Sequence, residues 1–209
     1  MLTVVKHTIG ASVTFVATVF LAGCTSVVRP HVMEAEFLTS APKLNGQVHL
    51  WVTDEFRTHR ESKGDPMDLK KWEFDLGPLA VDTFKYALAS RFEVVSVKLG
   101  KPIFPLPRDN ATDLVIAVEP EFAGFSVGTP LLFKFETYTL ECSFHVKSYD
   151  HSGNVLLEGT YEGVGKKQGA IGTTSAGLHA LPVAAQLAVK DAVNKAVADI
   201  VDRIQQKSL

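Results

Sequence analysis

The stretch Thr137-Tyr138-Thr139-Leu140-Glu141-Cys142-Ser143-Phe144-His145-Val146-Lys147-Ser148-Tyr149 decides the fold. Tyr138, Leu140, Cys142, Phe144 and Val146 share one parity, while Thr137, Thr139, Glu141, Ser143, His145 and Lys147 share the other. Strict alternation of this kind marks a strand with one buried and one wet face. Asp150-His151-Ser152-Gly153-Asn154 has the composition of a turn, and Val155 to Val164 returns as the next strand with Leu157 and Tyr161 on one face. The result is a long antiparallel hairpin whose apolar side needs a cover.

A helix over Pro182 to Gln206 supplies that cover. Val189, Val193, Ala196, Val197, Ile200 and Ile204 form a stripe, with Lys190, Asp191, Asn194, Asp199 and Arg203 outside it. Asp191 with Lys195 and Asp199 with Arg203 add acid-first pairs one turn apart.

Working outward, Gln47 to Thr53 alternates Val48, Leu50 and Val52 with His49, Trp51 and Thr53 and reads as the first strand. Asp54 to Asp75 is crowded with charge around Gly64 and Pro66 and reads as a long surface loop, its end pinned by Trp72 and Phe74. Pro78 to Phe92 suits a helix, because proline is favoured in a first turn and Ala80, Phe84, Ala87 and Leu88 fall on one face. Glu93 to Leu99 is a second strand beside the first. Lys101 to Asn110 contains Pro102, Pro105 and Pro107 and is irregular. Asp113 to Phe125 opens apolar on both parities, as a central strand does, and Pro120 implies a bulge or a sheet edge beyond it. The order β-α-β-β-β-β-α implies an α+β fold, a two-layer sandwich in which a mixed or antiparallel sheet of about five strands is covered by two helices.

The chain has 209 residues, 21 Lys+Arg against 23 Asp+Glu and a formal charge of −2. Such a balance offers no field for gathering phosphates, so nucleic acid is not an expected partner. The first 23 residues contain no acid, and an apolar stretch from Thr8 to Ala22 follows Lys6 and His7. This is the layout of a secretory signal, too short for a span that needs about 20 apolar residues. It ends in Leu21-Ala22-Gly23-Cys24, which resembles the lipobox of Gram-negative bacterial lipoproteins.

The resemblance implies cleavage before Cys24, acylation of its thiol and a membrane anchor through the acyl chains. Removing 23 residues leaves a mature chain of 186. Thr25, where retained lipoproteins carry Asp, implies delivery to the outer membrane, facing the periplasm. Residues 24–45, with Pro30 and Pro42 and no periodicity, read as a tether, and 46–209 as one α+β domain. Cys142 is then the sole thiol left in an oxidising compartment and is expected to be buried.

No catalytic or cofactor chemistry emerges. Gly163, Gly165, Gly169 and Gly172 with Lys166 and Lys167 lack the spacing of a phosphate loop, so 166–180 reads as a long flexible connector. The histidines show no metal-ligand spacing. G-x-S-x-G is absent, and Glu119 and Glu121, flanking Pro120, read as a solvated edge. One stretch, Gly128 to Phe135, joins two strands yet carries Leu131, Leu132, Phe133 and Phe135. It is either the start of the next strand, alternating onto the core, or an apolar loop that docks a partner or the membrane.

The lipobox, the Phe84 to Val97 helix-strand passage, the Thr137 to Val164 hairpin and the Ala- and Val-rich terminal helix together resemble the YajG-type lipoproteins and the auxiliary lipoproteins of envelope machines. That resemblance implies binding rather than catalysis. The expected role is a lipid-anchored periplasmic interaction protein, an accessory subunit of an envelope transport, assembly or cell-wall machine, with no cofactor. An envelope hydrolase and a carrier of small apolar ligands remain the alternatives.

Overall fold

The computed structural model describes residues 24–37, 42–64, 70–107, 114–128, 136–169 and 174–207. Among these residues, eight strands and three helices follow in order: β1 (Cys24–Val28), a 3₁₀ turn (Glu34–Phe37), β2 (Leu44–Val52), α1 (Asp54–Arg57), β3 (Arg60–Gly64), β4 (Lys70–Asp75), α2 (Leu76–Ala89), β5 (Phe92–Leu99), β6 (Leu114–Gly128), β7 (Glu136–Asp150), β8 (Val155–Gly169) and α3 (Thr174–Lys207). The larger sheet runs β5-β2-β6-β7-β8 and is mixed. Its β2 lies parallel to β5 and β6, whereas β6, β7 and β8 form an antiparallel meander. The α+β architecture, the five strands and the two long covering helices agree with the pattern in the sequence.

The alternation that defines β7 is fully used. Leu140, Cys142, Phe144 and Val146 are all at most 1% exposed. Phe144 meets Phe84 of α2 edge-on at 5.5 Å and lies 4.9 Å from Phe122 of β6. All six stripe residues of α3 are buried, as are Ala80, Phe84, Ala87 and Leu88 of α2. Gly163 and Gly165 let α3 settle directly onto β8. A Cβ on Gly165 would lie 1.8 Å from the carbonyl oxygen of Ala184, and one on Gly163 would lie 2.0 Å from that of Ala188.

Three stretches differ from the sequence reading. Residues 24–37 are not an irregular tether: β1 pairs in parallel with β4, and Val28, Val32 and Phe37 are buried. The carboxylate of Glu36 accepts hydrogen bonds from Gln186 Nε2 at 2.9 Å and Lys190 Nζ at 3.2 Å, fastening the 3₁₀ turn to α3. This order depends on partners about 150 positions away, which no local pattern can announce. Residues 54–75 are likewise structured, with α1 capped by Thr53 Oγ1, which accepts from the N–H of Phe56 at 3.1 Å. Here β3 and β4 pair with β1 into a second, three-stranded sheet. Their charged sequences hid them, since the pairing is made by backbone groups and by Phe74, fully buried at 0% exposure.

Both ends of the expected connector 166–180 are also taken up by regular structure, with 170–173 outside the described residues. Opposite the long β7, β8 continues to Gly169, with Lys166, Lys167 and Gln168 paired to Thr139, Tyr138 and Thr137. Backbone ladder bonds extend that strand without apolar alternation. The last helix begins at Thr174 and carries Pro182 inside it, so this proline does not mark the helix start. Pro120 behaves as expected: β6 loses β2 as a neighbour after Val118, and its register with β7 shifts between Phe122 and Gly124.

Candidate functional site

With α2 and α3 on one face, the other parity of β6, β7 and β8 forms an outer face of paired charges. The register sets Glu119, Lys147 and Glu158 in one row and Glu121, His145 and Thr160 in the next. Lys147 Nζ lies 3.1 Å from Glu158 Oε1, and His145 Nε2 approaches the same oxygen at 3.1 Å. Hydrogen bonds from Lys147 and His145 hold the Glu158 carboxyl below its ordinary range. The same bond raises the Lys147 ammonium. Farther along, Ser126 Oγ donates to Glu141 Oε2 at 3.0 Å.

This face is not an open solvated edge throughout. The segment after β5 folds back over it: the N–H of Gly100 donates to Val52 and that of Leu106 to His151, both at 2.9 Å. Leu106, Val115 and Ala117 form a small second core with Trp51, Phe104 and Tyr149 packed against it. Gly153 takes φ +93 and leaves room for the Phe104 ring, which would stand 2.9 Å from a Cβ there.

Beneath this cover Glu119 is only 8% exposed, correcting its reading as solvated, and accepts a hydrogen bond from Tyr149 Oη at 3.0 Å. Burial, and then the bond to Glu119, push the Tyr149 phenol up to about 12, so it remains a proton donor. The proline-rich composition of 101–107 signalled irregular backbone; its Phe104 and Leu106 were the available hint that it covers a face. Lys101, Pro102, Phe104, Glu119, Glu121, Lys147 and Tyr149 surround a shallow cleft of about 260 Å³. On the same outer side of the sheet, in register with Ala117, His49 is also buried, with Nδ1 2.6 Å from Ser96 Oγ. Burial and the nearby Lys98 charge lower its pKa and favour neutral imidazole.

That arrangement can bind a polar, extended surface through alternating acids and bases beside two aromatic rings. A second cleft of about 290 Å³ lies among Glu36, Phe37, Ala87, Ser90, Arg91, Asn194, Val197 and Ala198. Among the described residues no group of three His, Cys, Asp or Glu side chains converges on a metal position. Nor is any described helix long and apolar enough to cross a membrane.

Of the residues singled out in the sequence, Cys24 is the first of β1, opposite Lys70 of β4. Leu131, Leu132, Phe133 and Phe135 lie outside the described residues, in the link between Gly128, the end of β6, and Glu136, the start of β7. Cys142 is 1% exposed, as expected, and burial pushes its thiol up to about 12.

No protein-family model matches the chain, and no curated protein matches it. Solved structures do. A protein of the DUF330 family from Xanthomonas campestris is 13% identical, with a TM-score of 0.47 over 88% of this chain and 98% of that one. A lipoprotein candidate from Caulobacter crescentus is 18% identical, with a TM-score of 0.41 over 63% of this chain and 84% of its own. A hypothetical protein from Chlamydia trachomatis is 13% identical, with a TM-score of 0.43 over 77% and 98% of the two chains.

Proposed function

We propose that the chain is a lipid-anchored binding protein of the bacterial envelope, an accessory subunit held at the outer membrane through acylated Cys24, with the outer sheet face as its working surface. The observation that carries this reading is the division of the main sheet. One face is sealed by α2 and α3, and the other presents the charged rows of β6, β7 and β8. The apolar residues Leu131, Leu132, Phe133 and Phe135 at the β6–β7 link are a second docking element.

Binding is favoured over catalysis because the ionisable groups on that face neutralise one another. Glu158 is shared by Lys147 and His145, and Glu119 is tied to Tyr149, so each of these two carboxylates is already engaged by a neighbouring donor. A carrier of apolar ligands would need room between sheet and helices, where the backbone of α3 instead meets Gly163 and Gly165.

The test is crosslinking in intact cells, solubilisation in mild detergent and mass spectrometry of what copurifies, with Cys24→Ser and Glu121→Lys as comparisons. Recovery of one membrane complex at fixed stoichiometry, lost in Cys24→Ser and weakened in Glu121→Lys, supports the reading. Recovery of abundant envelope proteins alone overturns it.

A further inference from the structure

The main sheet has two edges, and the chain treats them differently. At β8 the last helix reaches over the strand. Lys195 Nζ donates to the carbonyl oxygen of Glu162 at 2.8 Å, Arg203 Nε donates to that of Leu156 at 3.2 Å, and Asp191 Oδ2 accepts from the N–H of Val164 at 3.2 Å. Charged side chains bonded to edge backbone groups keep a further strand away. The other edge, β5, carries no such brace among the described residues and stands last in the order β5-β2-β6-β7-β8.

The side chains of β5 are equally open. Val94, Val97 and Leu99 are 50%, 39% and 61% exposed, so this one strand holds three of the nine large apolar side chains exposed among the described residues. Val95, Val97 and Leu99 stand in register with Val48, Leu50 and Val52, all 0% exposed, and so extend the helix-covered side of the sheet. Val94, Ser96 and Lys98 extend the outer side beside Gln47, His49 and Trp51. An apolar strip that runs off the end of a packed layer, on a strand with no neighbour beyond it, invites another strand.

The sequence of β5 selects the occupant. Glu93-Val94-Val95-Ser96-Val97-Lys98-Leu99 is centred on Ser96 with valine on both sides. Paired antiparallel with itself about Ser96, it sets Val95 against Val97 of the second copy on both sides of the centre, with Val94 opposite Lys98 and Glu93 opposite Leu99. Cross-strand pairs of β-branched residues stabilise such a ladder, and no charge meets its like. The strand ends are complementary as well, with Glu93 at the start and Lys98 and Lys101 at the close. Antiparallel pairing brings each acidic end to the basic end of the other copy, whereas parallel pairing would set like against like.

We propose that β5 is a dimerisation edge, which pairs antiparallel with β5 of a second copy of this chain and joins two five-stranded sheets into one. The contact is isologous and closes after two copies. Its two-fold axis runs perpendicular to the sheet, so the helices of both copies lie on one side and both outer faces on the other. The pairing does not depend on the function proposed above; where that function holds, the dimer presents its binding face twice.

Single cysteines report the register. In cells expressing the full chain and treated with copper-phenanthroline as oxidant, Ser96→Cys should give a disulfide-linked dimer, because position 96 faces itself across the axis. Val94→Cys and Lys98→Cys should each stay monomeric alone and crosslink when coexpressed, because those positions face each other. The parent chain is the blank for Cys24 and for Cys142, which is 1% exposed.

Sedimentation of the purified full chain in density-matched mild detergent should give the mass of a dimer. Val97→Lys should weaken self-association by about tenfold or more while leaving the melting temperature unchanged, since the side chain it replaces already reaches solvent. Leu99→Lys gives the same comparison if Val97→Lys does not fold. A monomeric parent, a dimer that survives the lysine, or a Ser96→Cys chain that stays single or crosslinks to a different protein overturns the proposal.

Discussion

Replacing Gly165 with alanine strikes the tightest approach to a glycine among the described residues, where β8 lies under α3. The new methyl group would stand 1.8 Å from the carbonyl oxygen of Ala184 and 2.6 Å from the backbone nitrogen of Ala188. Both are backbone atoms and cannot swing aside. Restoring an ordinary carbon–oxygen contact of about 3.4 Å needs a local outward shift of the helix of about 1.6 Å, and a gap of 0.5–1 Å already forfeits a quarter to a half of each dispersion contact along the seam. Ala184, Ala185, Ala188, Val189, Ala192 and Val193 are all fully buried along it.

Overpacking a core costs about 1–3 kcal/mol, and a clash with helix backbone belongs at or above the top of that range. We expect a loss of about 3 kcal/mol, or about 6–12 °C in melting temperature for a chain of this size. Urea unfolding followed by circular dichroism measures it. Adding Ala184→Gly should not rescue the variant, because the clash is with the carbonyl and not the side chain. As a control, Gly128→Ala meets the Thr139 carbonyl oxygen at 3.5 Å and its Cβ at 3.7 Å, ordinary contact distances, and should stay within about 1 kcal/mol of the parent. A Gly165→Ala protein equally close to the parent, or one rescued by Ala184→Gly, would refute the packing argument.

Three further outcomes are expected. Tyr149→Phe removes the donor to a carboxylate that is only 8% exposed, so stability should fall by about 1–3 kcal/mol in urea unfolding, whereas an unchanged midpoint would place Glu119 in water. For Glu36, partial burial works to raise the pKa, but bonds from the Met33 N–H, Lys190 and Gln186 outweigh it and hold the group below its ordinary 4.5. A depressed carboxyl pKa contributes stability above the unfolded value that disappears as pH falls through the folded one. Glu36→Gln should therefore destabilise at pH 7 and lose that effect below about pH 4, as pH-dependent denaturation curves would reveal. Cys142, raised to about 12 by burial and the Glu61 charge, should resist iodoacetamide at pH 8 in the folded protein and react once urea unfolds it; rapid labelling of the native chain would contradict the packing of β7.

Periodicity made the main sheet and its cover readable because each element there carries its own reason for folding. The Leu140, Cys142, Phe144 and Val146 parity belongs to β7 whatever lies beside it, and the Val189 to Ile204 stripe belongs to α3. The smaller sheet was unreadable for the opposite reason. Arg60 to Gly64 has no apolar alternation, and Cys24 to Val28 resembles many short irregular stretches. These strands exist because β4 offers both of them backbone partners, and a ladder of N–H and C=O groups is blind to side chains.

The candidate site divides the same way. Local pattern alone singled out Cys24 as the proposed acyl site, since a lipobox-like motif is a contiguous string that needs no fold to be read. It also put Lys147, His145 and Glu141 on the wet side of a strand. It could not bring Tyr149 to Glu119, 30 positions away, or lower the 101–107 segment over both. Nor could it set Cys24 beside Lys70 and Lys71, because 46 residues separate positions that strand pairing makes neighbours. Tertiary structure decided those juxtapositions, because their energy comes from contacts between residues that share no local period.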